Sequence, residues 1–224
     1  KLHGEDTPFQ SMKIVDSVRF GKMLLLDDVV QTTEADEFVY HEMMSHIPLF
    51  SMQKPGNVLI IGGGDGGILR EVLKHPSVKK ATMVEIDGRV VEFSKKHLSS
   101  ICKKAFSDKR TNLIIDDGAA FVKKTKEKYD VVIVDSSDPI GPATVLFTKE
   151  FYGNVKKILT PKGVMIRQSG STIFQPKELR ENFTLLKKIF KYNAPCVFAV
   201  PTYVGGFFCL TFSSSGTDPL KTQE

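Results

Sequence analysis

Apolar and polar positions follow two different periods along this chain. Over residues 9–33 the period is near two, interrupted by turn residues: Phe9 to Asp16, a turn at Phe20-Gly21-Lys22, then Met23 to Asp28 and Val29 to Gln31. Such stretches predict the hairpins of a small antiparallel sheet. Residues 34–49 switch to a helical period. Thr33 is placed to cap that helix, and Glu34, Asp36 and Glu37 fall in its first turn, where the helix dipole favours acids. Phe38, Met43, Met44 and Ile47 would form its apolar stripe, which leaves Tyr40 and His41 outside it and available for another task.

From Gly56 onward strand and helix patterns alternate. Strands are predicted over 57–61, 81–84, 111–115, 131–134 and 164–168, with helices over 68–75, 89–98, 119–126, 148–158 and 176–191. Unbroken β-branched runs such as Val131 to Val134 read as strands buried on both faces, so the pattern predicts a parallel, doubly wound α/β sheet. Two closing strands, 195–201 and 206–213, have no helix between them and predict an antiparallel edge strand. The expected division is an N-terminal β-hairpin lobe with its connecting helix over 1–50 and a catalytic domain over 51–224.

Composition narrows the setting. The chain has 224 residues, 41% of them hydrophobic, which suits one large domain with a small appendage. No run approaches the roughly 18 apolar residues of a membrane span, and Lys1-Leu-His-Gly-Glu-Asp6 is no signal-peptide core. Cys102, Cys196 and Cys209 fit neither a disulfide framework nor a zinc pattern, so a reducing cytoplasm is expected. The net charge of +5 lies largely in Lys pairs such as Lys79-Lys80 and Lys156-Lys157. These could form a nucleic-acid face, but without interleaved aromatics they read as solvated helix exteriors. His41-Glu42 with His46 superficially resembles a zinc helix, yet histidines at that spacing do not share a helix face, and no metal is expected.

The chemistry lies in the loops. Gly62-x-Gly64-x-x-Gly67 follows a strand and opens a helix, and Glu85 ends the next strand about twenty positions on. The glycines permit close backbone approach, and Glu85 is placed to accept ribose hydroxyls, which predicts a nucleoside site. Asp65 inside that loop would oppose a pyrophosphate and welcome a cation, which favours an adenosine bearing a sulfonium over a dinucleotide. Asp117 ends the third strand, within reach of an adenine amino group. Asp135 ends the fourth, with Asp138 just beyond and no Lys or Arg between Asp130 and Ala143. As turn formers Asp135 and Asp138 would be unremarkable chemistry before Pro and Gly. Together with Asp65, Glu85 and Asp117 at one sheet edge they form a cluster whose repulsion only bound cations relieve.

Gly-Gly-Gly-Asp-Gly-Gly, Glu-Ile-Asp, Asp-Asp-Gly, Asp36-Glu-Phe-Val-Tyr-His-Glu-Met43, Asp-Ser-Ser-Asp-Pro-Ile-Gly-Pro-Ala and Pro201-Thr-Tyr203 resemble the polyamine aminopropyltransferases of the spermidine synthase family, over Gln10 to Asp218. The resemblance implies a Rossmann-like, methyltransferase-type doubly wound sheet with a small N-terminal antiparallel β lobe. It implies transfer of the aminopropyl group of decarboxylated S-adenosylmethionine, a co-substrate rather than a tightly bound cofactor, to putrescine. By matching motif, Asp135 resembles the catalytic base and Tyr40 the tyrosine beside it. His41, Asp65, Asp138, Tyr203 and Gln168 resemble the polyamine-side residues. Gln10, Gln31, Gly62, Gly64, Glu85, Asp117, Gly118 and Pro142 resemble the nucleoside side. The partners so implied are small diamine and nucleoside substrates, with neither nucleic acid nor membrane, in a homodimer or homotetramer. The chain departs from relatives at Ser169-Gly170-Ser171, where many carry a glutamate, and the strand segment before Gln10 and the C-terminal tail are expected to be absent or curtailed. Two other readings compete: a diamine N-methyltransferase using intact S-adenosylmethionine, and a non-catalytic binder of nucleoside or polyamine.

Overall fold

The computed structural model describes residues 2–136 and 141–221, the side chains of residues 141 and 142 excepted. Strands β1 (His3–Asp6), β2 (Ser11–Ser17), β3 (Gly21–Leu26) and β4 (Val29–Thr33) form an antiparallel sheet in sequence order. β1 precedes Gln10 and pairs with β2 from His3 opposite Ile14 to Asp6 opposite Ser11, so the segment expected to be absent or curtailed is present as a four-residue strand. Its residues are mostly exposed and show no apolar alternation; backbone pairing holds it, and that leaves no trace in side-chain pattern.

Helix α1 (Glu37–Phe50) begins after Asp36 rather than at Thr33, whose hydroxyl donates to Asp36 Oδ1 at 2.6 Å. The expected stripe is rotated. Phe38 is exposed, Met43 and Ile47 are half-buried, and the covered face is Tyr40, His41, Met44, Ser45, Pro48 and Leu49. Positions 40, 44 and 48 and positions 41, 45 and 49 do share one side of a helix. The small and polar members of that face hide it from a reading based on large apolar side chains.

The main sheet has the order β10-β11-β9-β8-β5-β6-β7. β5 (Asn57–Gly62), β6 (Lys80–Glu85), β7 (Thr111–Ile115), β8 (Tyr129–Asp135) and β9 (Leu159–Ser171) run parallel. β11 (Phe207–Ser214) is antiparallel to both β9 and β10 (Tyr192–Ala199). The closing pair supplies the edge: β10 is the edge strand, paired antiparallel to β11, which is internal. The reason is burial: β11 is buried at every residue from Cys209 to Ser214, whereas β10 alternates between exposed and half-buried positions. A strand buried on both faces takes the interior place.

Helices α2 (Gly67–Leu73), α3 (Gly88–His97), α4 (Ser99–Cys102), α5 (Gly118–Lys124), α6 (Lys149–Ile158) and α7 (Pro176–Lys187) complete the fold. Alternate strand residues face opposite layers. Val58, Ile60, Val131 and Ile133 pack with Tyr40, Met44, Ile68 and Val72, while Leu59, Ile61, Val132 and Val134 pack with Val122, Phe151, Tyr152 and Val155. The lobe joins the body through Met12, Ile14 and Leu24 against Val90, Phe93, Leu98 and Ile101. Among the described residues no helix is long and apolar enough to cross a membrane.

A polar clamp ties the start of α1 to the turn after β10. Buried Asp36 accepts from the backbone N–H of Thr202 at 3.0 Å and from its hydroxyl at 2.9 Å. Replacing Asp36 by Ala should lower unfolding free energy by about 2 kcal/mol, the scale of losing hydrogen bonds to a buried charged acceptor. Urea unfolding checks this; an unchanged midpoint would show the clamp to be energetically idle.

Candidate active site

The parallel strands all end at one edge, and Gly62 sits opposite Asp135 there in the β5–β8 register. A side chain at Gly62 would put its Cβ 1.9 Å from the Asp135 carbonyl oxygen, at a φ of 82°. Only glycine lets the loop turn so close to β8. Asp65 lies in that loop, where its Oδ1 accepts from Gly67 N at 2.7 Å.

Tyr40 reaches from α1 over the sheet edge and donates its hydroxyl to Asp135 Oδ1 at 2.5 Å. Burial and the neighbouring charge of Asp65 push the Asp135 carboxyl up to about 6, against the Tyr40 donation and the His41 charge, which lower it. Burial and the Asp135 charge raise the Tyr40 phenol well above its usual range, so it stays a donor. The Tyr203 phenol is raised for the same reasons. Its ring centroid is 5.5 Å from that of Tyr40, and its hydroxyl donates to the Gln31 carbonyl at 2.8 Å. Tyr203 therefore joins the lobe to the site.

His41 is buried, with Nδ1 2.5 Å from Glu37 Oε2 and Nε2 3.3 Å from Asp65 Oδ2. Burial would lower its pKa, but Asp65 and Glu37 outweigh that and raise it to about 10. A Cβ at Gly67 would fall 2.2 Å from the ring, so the absence of a side chain there is what seats the imidazole.

Beside this group, Glu85 closes β6, and burial raises its carboxyl to about 7 despite its acceptance from Asp87 N at 3.0 Å. The Gly64 backbone passes close enough that a Cβ there would lie 3.1 Å from Glu85 Oε2. Gln10 Nε2 donates to Asp87 Oδ2 at 3.1 Å, bringing the lobe to the same edge. Gln31 donates its side-chain amide to the Val29 carbonyl. Asp117 caps α5, accepting from Ala119 N and Ala120 N, and Gly118 packs where a Cβ would lie 2.5 Å from Ile61. Buried Gln168 donates from Nε2 to the Ser136 carbonyl at 2.9 Å. Asp138 and the side chain of Pro142 lie outside the described residues.

The structure thus brings Tyr40, His41, Asp65, Asp135 and Tyr203 into one cluster, with Glu85, Gln10 and the glycine loop beside it. Four contributors have no place in the sequence-based site. Glu37 had a signal, an acid four residues before a histidine on one helix face. Arg70 had none, while Asp87, Asp36 and Thr202 stood inside motifs that carried the resemblance but were given no role there. His46 points away from His41, toward His75 Nε2 at 2.8 Å and Glu71 Oε2 at 3.2 Å. Glu42, His46 and Glu71 bring ligand atoms together, but Glu71 is already paired with Arg70 and Lys74.

Comparison with known proteins adds the following. Residues 37–222 match the spermine/spermidine synthase domain and residues 1–34 match the spermidine synthase tetramerisation domain. The chain is 47% identical over 223 residues to a polyamine aminopropyltransferase of Bacillus mycoides, covering 100% of this chain and 81% of the relative. It is 46% identical over 224 residues to one from Methanocaldococcus jannaschii, covering 100% and 76%. A crystal structure of spermidine synthase with the transition-state analogue AdoDATO superposes with a TM-score of 0.96 at 38% identity, covering 100% of this chain and 76% of that one. The spermidine synthase of Thermotoga maritima gives 0.94 at 38% identity, covering 100% and 75%.

Tyr40→Phe should remove a donor that favours ionised Asp135. The acid limb of activity then moves above its expected midpoint near 6, with activity at pH 6 falling more than at pH 8. Initial rates across pH 5–9 check this; a uniform loss at all pH values would contradict the assigned coupling.

Proposed function

The chain belongs to the spermine/spermidine synthase family, whose chemistry is aminopropyl transfer with decarboxylated S-adenosylmethionine as co-substrate, and on that premise we propose putrescine as its acceptor. The products are then spermidine and 5'-methylthioadenosine. The observation that carries this reading is the Tyr40–Asp135 contact beside Asp65, an acidic pocket built to receive ammonium groups.

A diamine near neutral pH is almost fully protonated, and an ammonium nitrogen has no lone pair. Asp135, with its carboxyl near 6, is ionised at pH 7 and basic enough to take one proton. The freed amine attacks the methylene next to the sulfonium. A carbon–nitrogen bond forms, the carbon–sulfur bond breaks, and its electron pair stays on sulfur as a neutral thioether. The sulfonium is already a good leaving group, so orientation supplies much of the acceleration. Tyr40 holds the Asp135 carboxylate in place. Asp65 holds an ammonium, with Gln168 and Tyr203 on the same side, and the resemblance assigns Asp138 the same task. Glu85 accepts the ribose hydroxyls, Asp117 and Gly118 meet the adenine, and Gln10, Gln31, Gly62 and Gly64 line the rest of the nucleoside path, to which the resemblance adds Pro142.

In this reading the lobe over 1–50 closes one side of the pocket of the 51–224 domain. The tetramerisation match over 1–34 supports a homo-oligomer, dimer or tetramer; a cytoplasmic setting without nucleic acid or membrane belongs to the same proposal. A methyltransferase reading would place the carboxylate of intact S-adenosylmethionine against Asp65 and Asp135, which repel it.

Putrescine offered with decarboxylated and intact S-adenosylmethionine in parallel should give methylthioadenosine and spermidine from the decarboxylated form alone. S-adenosylhomocysteine from the intact form would overturn the proposal. Asp135→Asn should cut kcat by about 10²–10⁴ while methylthioadenosine binding stays close to wild type. An active Asp135→Asn enzyme would remove Asp135 as the base.

A further inference from the structure

Both ring nitrogens of His41 face carboxylates, Glu37 through Nδ1 at 2.5 Å and Asp65 through Nε2 at 3.3 Å. A neutral imidazole carries one N–H and can serve one of them only; the imidazolium serves both. Glu37 is itself held from behind. Arg70 donates Nη1 to Glu37 Oε1 at 2.9 Å and Nη2 to Glu37 Oε2 at 2.8 Å, a bidentate pair with both residues largely buried. The Arg70 Nε is taken by Glu71 Oε1 at 2.7 Å, and Nη1 also reaches the Ile101 carbonyl at 2.7 Å. A continuous line of alternating charge therefore runs from α2 through α1 to the amine pocket: Glu71, Arg70, Glu37, His41, Asp65.

We propose that Glu37 and Arg70 are positioning residues for the transfer, locking His41 as an imidazolium that pins Asp65 in the diamine pocket and leaves Asp135 to accept the proton. The inference deepens the assignment of Asp65 and Asp135 to the amine site and rests on it.

The charges around this line account for the need. Asp135 is faced by Asp65 from the glycine loop and by Tyr40 and His41 from α1, with Tyr203 and Glu85 within electrostatic reach. Asp65 pushes Asp135 toward its protonated form, in which it cannot act as a base, and the His41 charge opposes that push. His41 keeps its charge in a buried place only because Glu37 and Asp65 flank it. Glu37 is held well below its usual range, at about 2, by His41 and Arg70 against the burial that would raise it. With both nitrogens of His41 committed to carboxylates, its action on the substrate passes through Asp65. The folded-state rise in the His41 pKa also fixes a pH window: the stability it contributes is full below about 6.5 and is lost as pH rises through about 10.

The test compares the full-length protein with Glu37→Gln, Glu37→Asp and His41→Gln. In wild type, ¹⁵N shifts of the His41 ring should report an imidazolium from pH 6 to beyond pH 8. In Glu37→Gln the ring should titrate at least about one unit lower, the scale of losing one adjacent opposite charge. Lowered by that much the ring is still charged near pH 6, so the acid limb of kcat/KM for the diamine should stay in place in Glu37→Gln and move up, by about half a unit, in His41→Gln, with KM for decarboxylated S-adenosylmethionine unchanged in both. Glu37→Asp, which keeps the charge, should restore much of the wild-type ring titration. Should Glu37→Gln not fold, His41→Gln leaves the Glu37–Arg70 pair intact and still tests the upward shift of the acid limb. An unmoved His41 titration in Glu37→Gln, or a wild-type acid limb in His41→Gln, overturns the proposal. Failure of wild type to transfer aminopropyl groups would instead sink the acceptor reading, and the His41 titration would still decide the charge relay.

Discussion

Two carboxylates, Asp65 and Asp135, are held near each other at the end of a buried parallel sheet, and the arrangement around them answers that repulsion. Partial burial strengthens it, because less water remains to screen the charges. One outcome is visible in Asp135, whose proton affinity rises into the range of a working base. The other is visible in His41, which stays charged to offset Asp65. The cluster is thus left acidic without collapsing into a protonated pair. The same logic separates the two ends of the site. Glu85 is buried, has no cation beside it among the described residues, and is raised to about 7.

Helix α1 is the part that makes this possible. One face of it carries Tyr40 and His41 into the site and Met44 and Leu49 into the core. Its first residue, Glu37, supplies the counter-charge, and the residue before it, Asp36, clamps the turn that carries Tyr203. Tyr203 in turn bonds the Gln31 carbonyl of the lobe. A displacement of α1 would therefore disturb Asp135, the charge balance and the pocket wall together. That coupling explains why a short polar segment, Asp36 to His41, matters more to the site than its apolar content suggests.

Two misreadings share one cause. The rotated face of α1 and the strand β1 depend on what lies across a contact, not on the local pattern, and so does the internal place of β11. Side-chain periodicity detects burial by one's own large apolar residues. It is blind to strands held by backbone pairing and to helix faces buried through His, Ser and Pro. It is equally blind to which member of a hairpin joins the larger sheet.

The sequence by itself determined the order of strands and helices from Asn57 on, the glycine loop, and the acids that close β5, β6, β7 and β8. These are local facts: β-branched runs bury, glycines turn, and a parallel sheet presents all its loop acids at one edge. Its motifs also carried the family resemblance. Only the tertiary structure decided that Tyr40 touches Asp135 across 95 positions, that Asp36 grips Thr202 across 166, and that Arg70 stands behind Glu37 and His41. Those pairings are set by how α1 and α2 pack on the sheet, and charge coupling falls off within a few ångströms. No spacing along the chain encodes a distance that only packing creates.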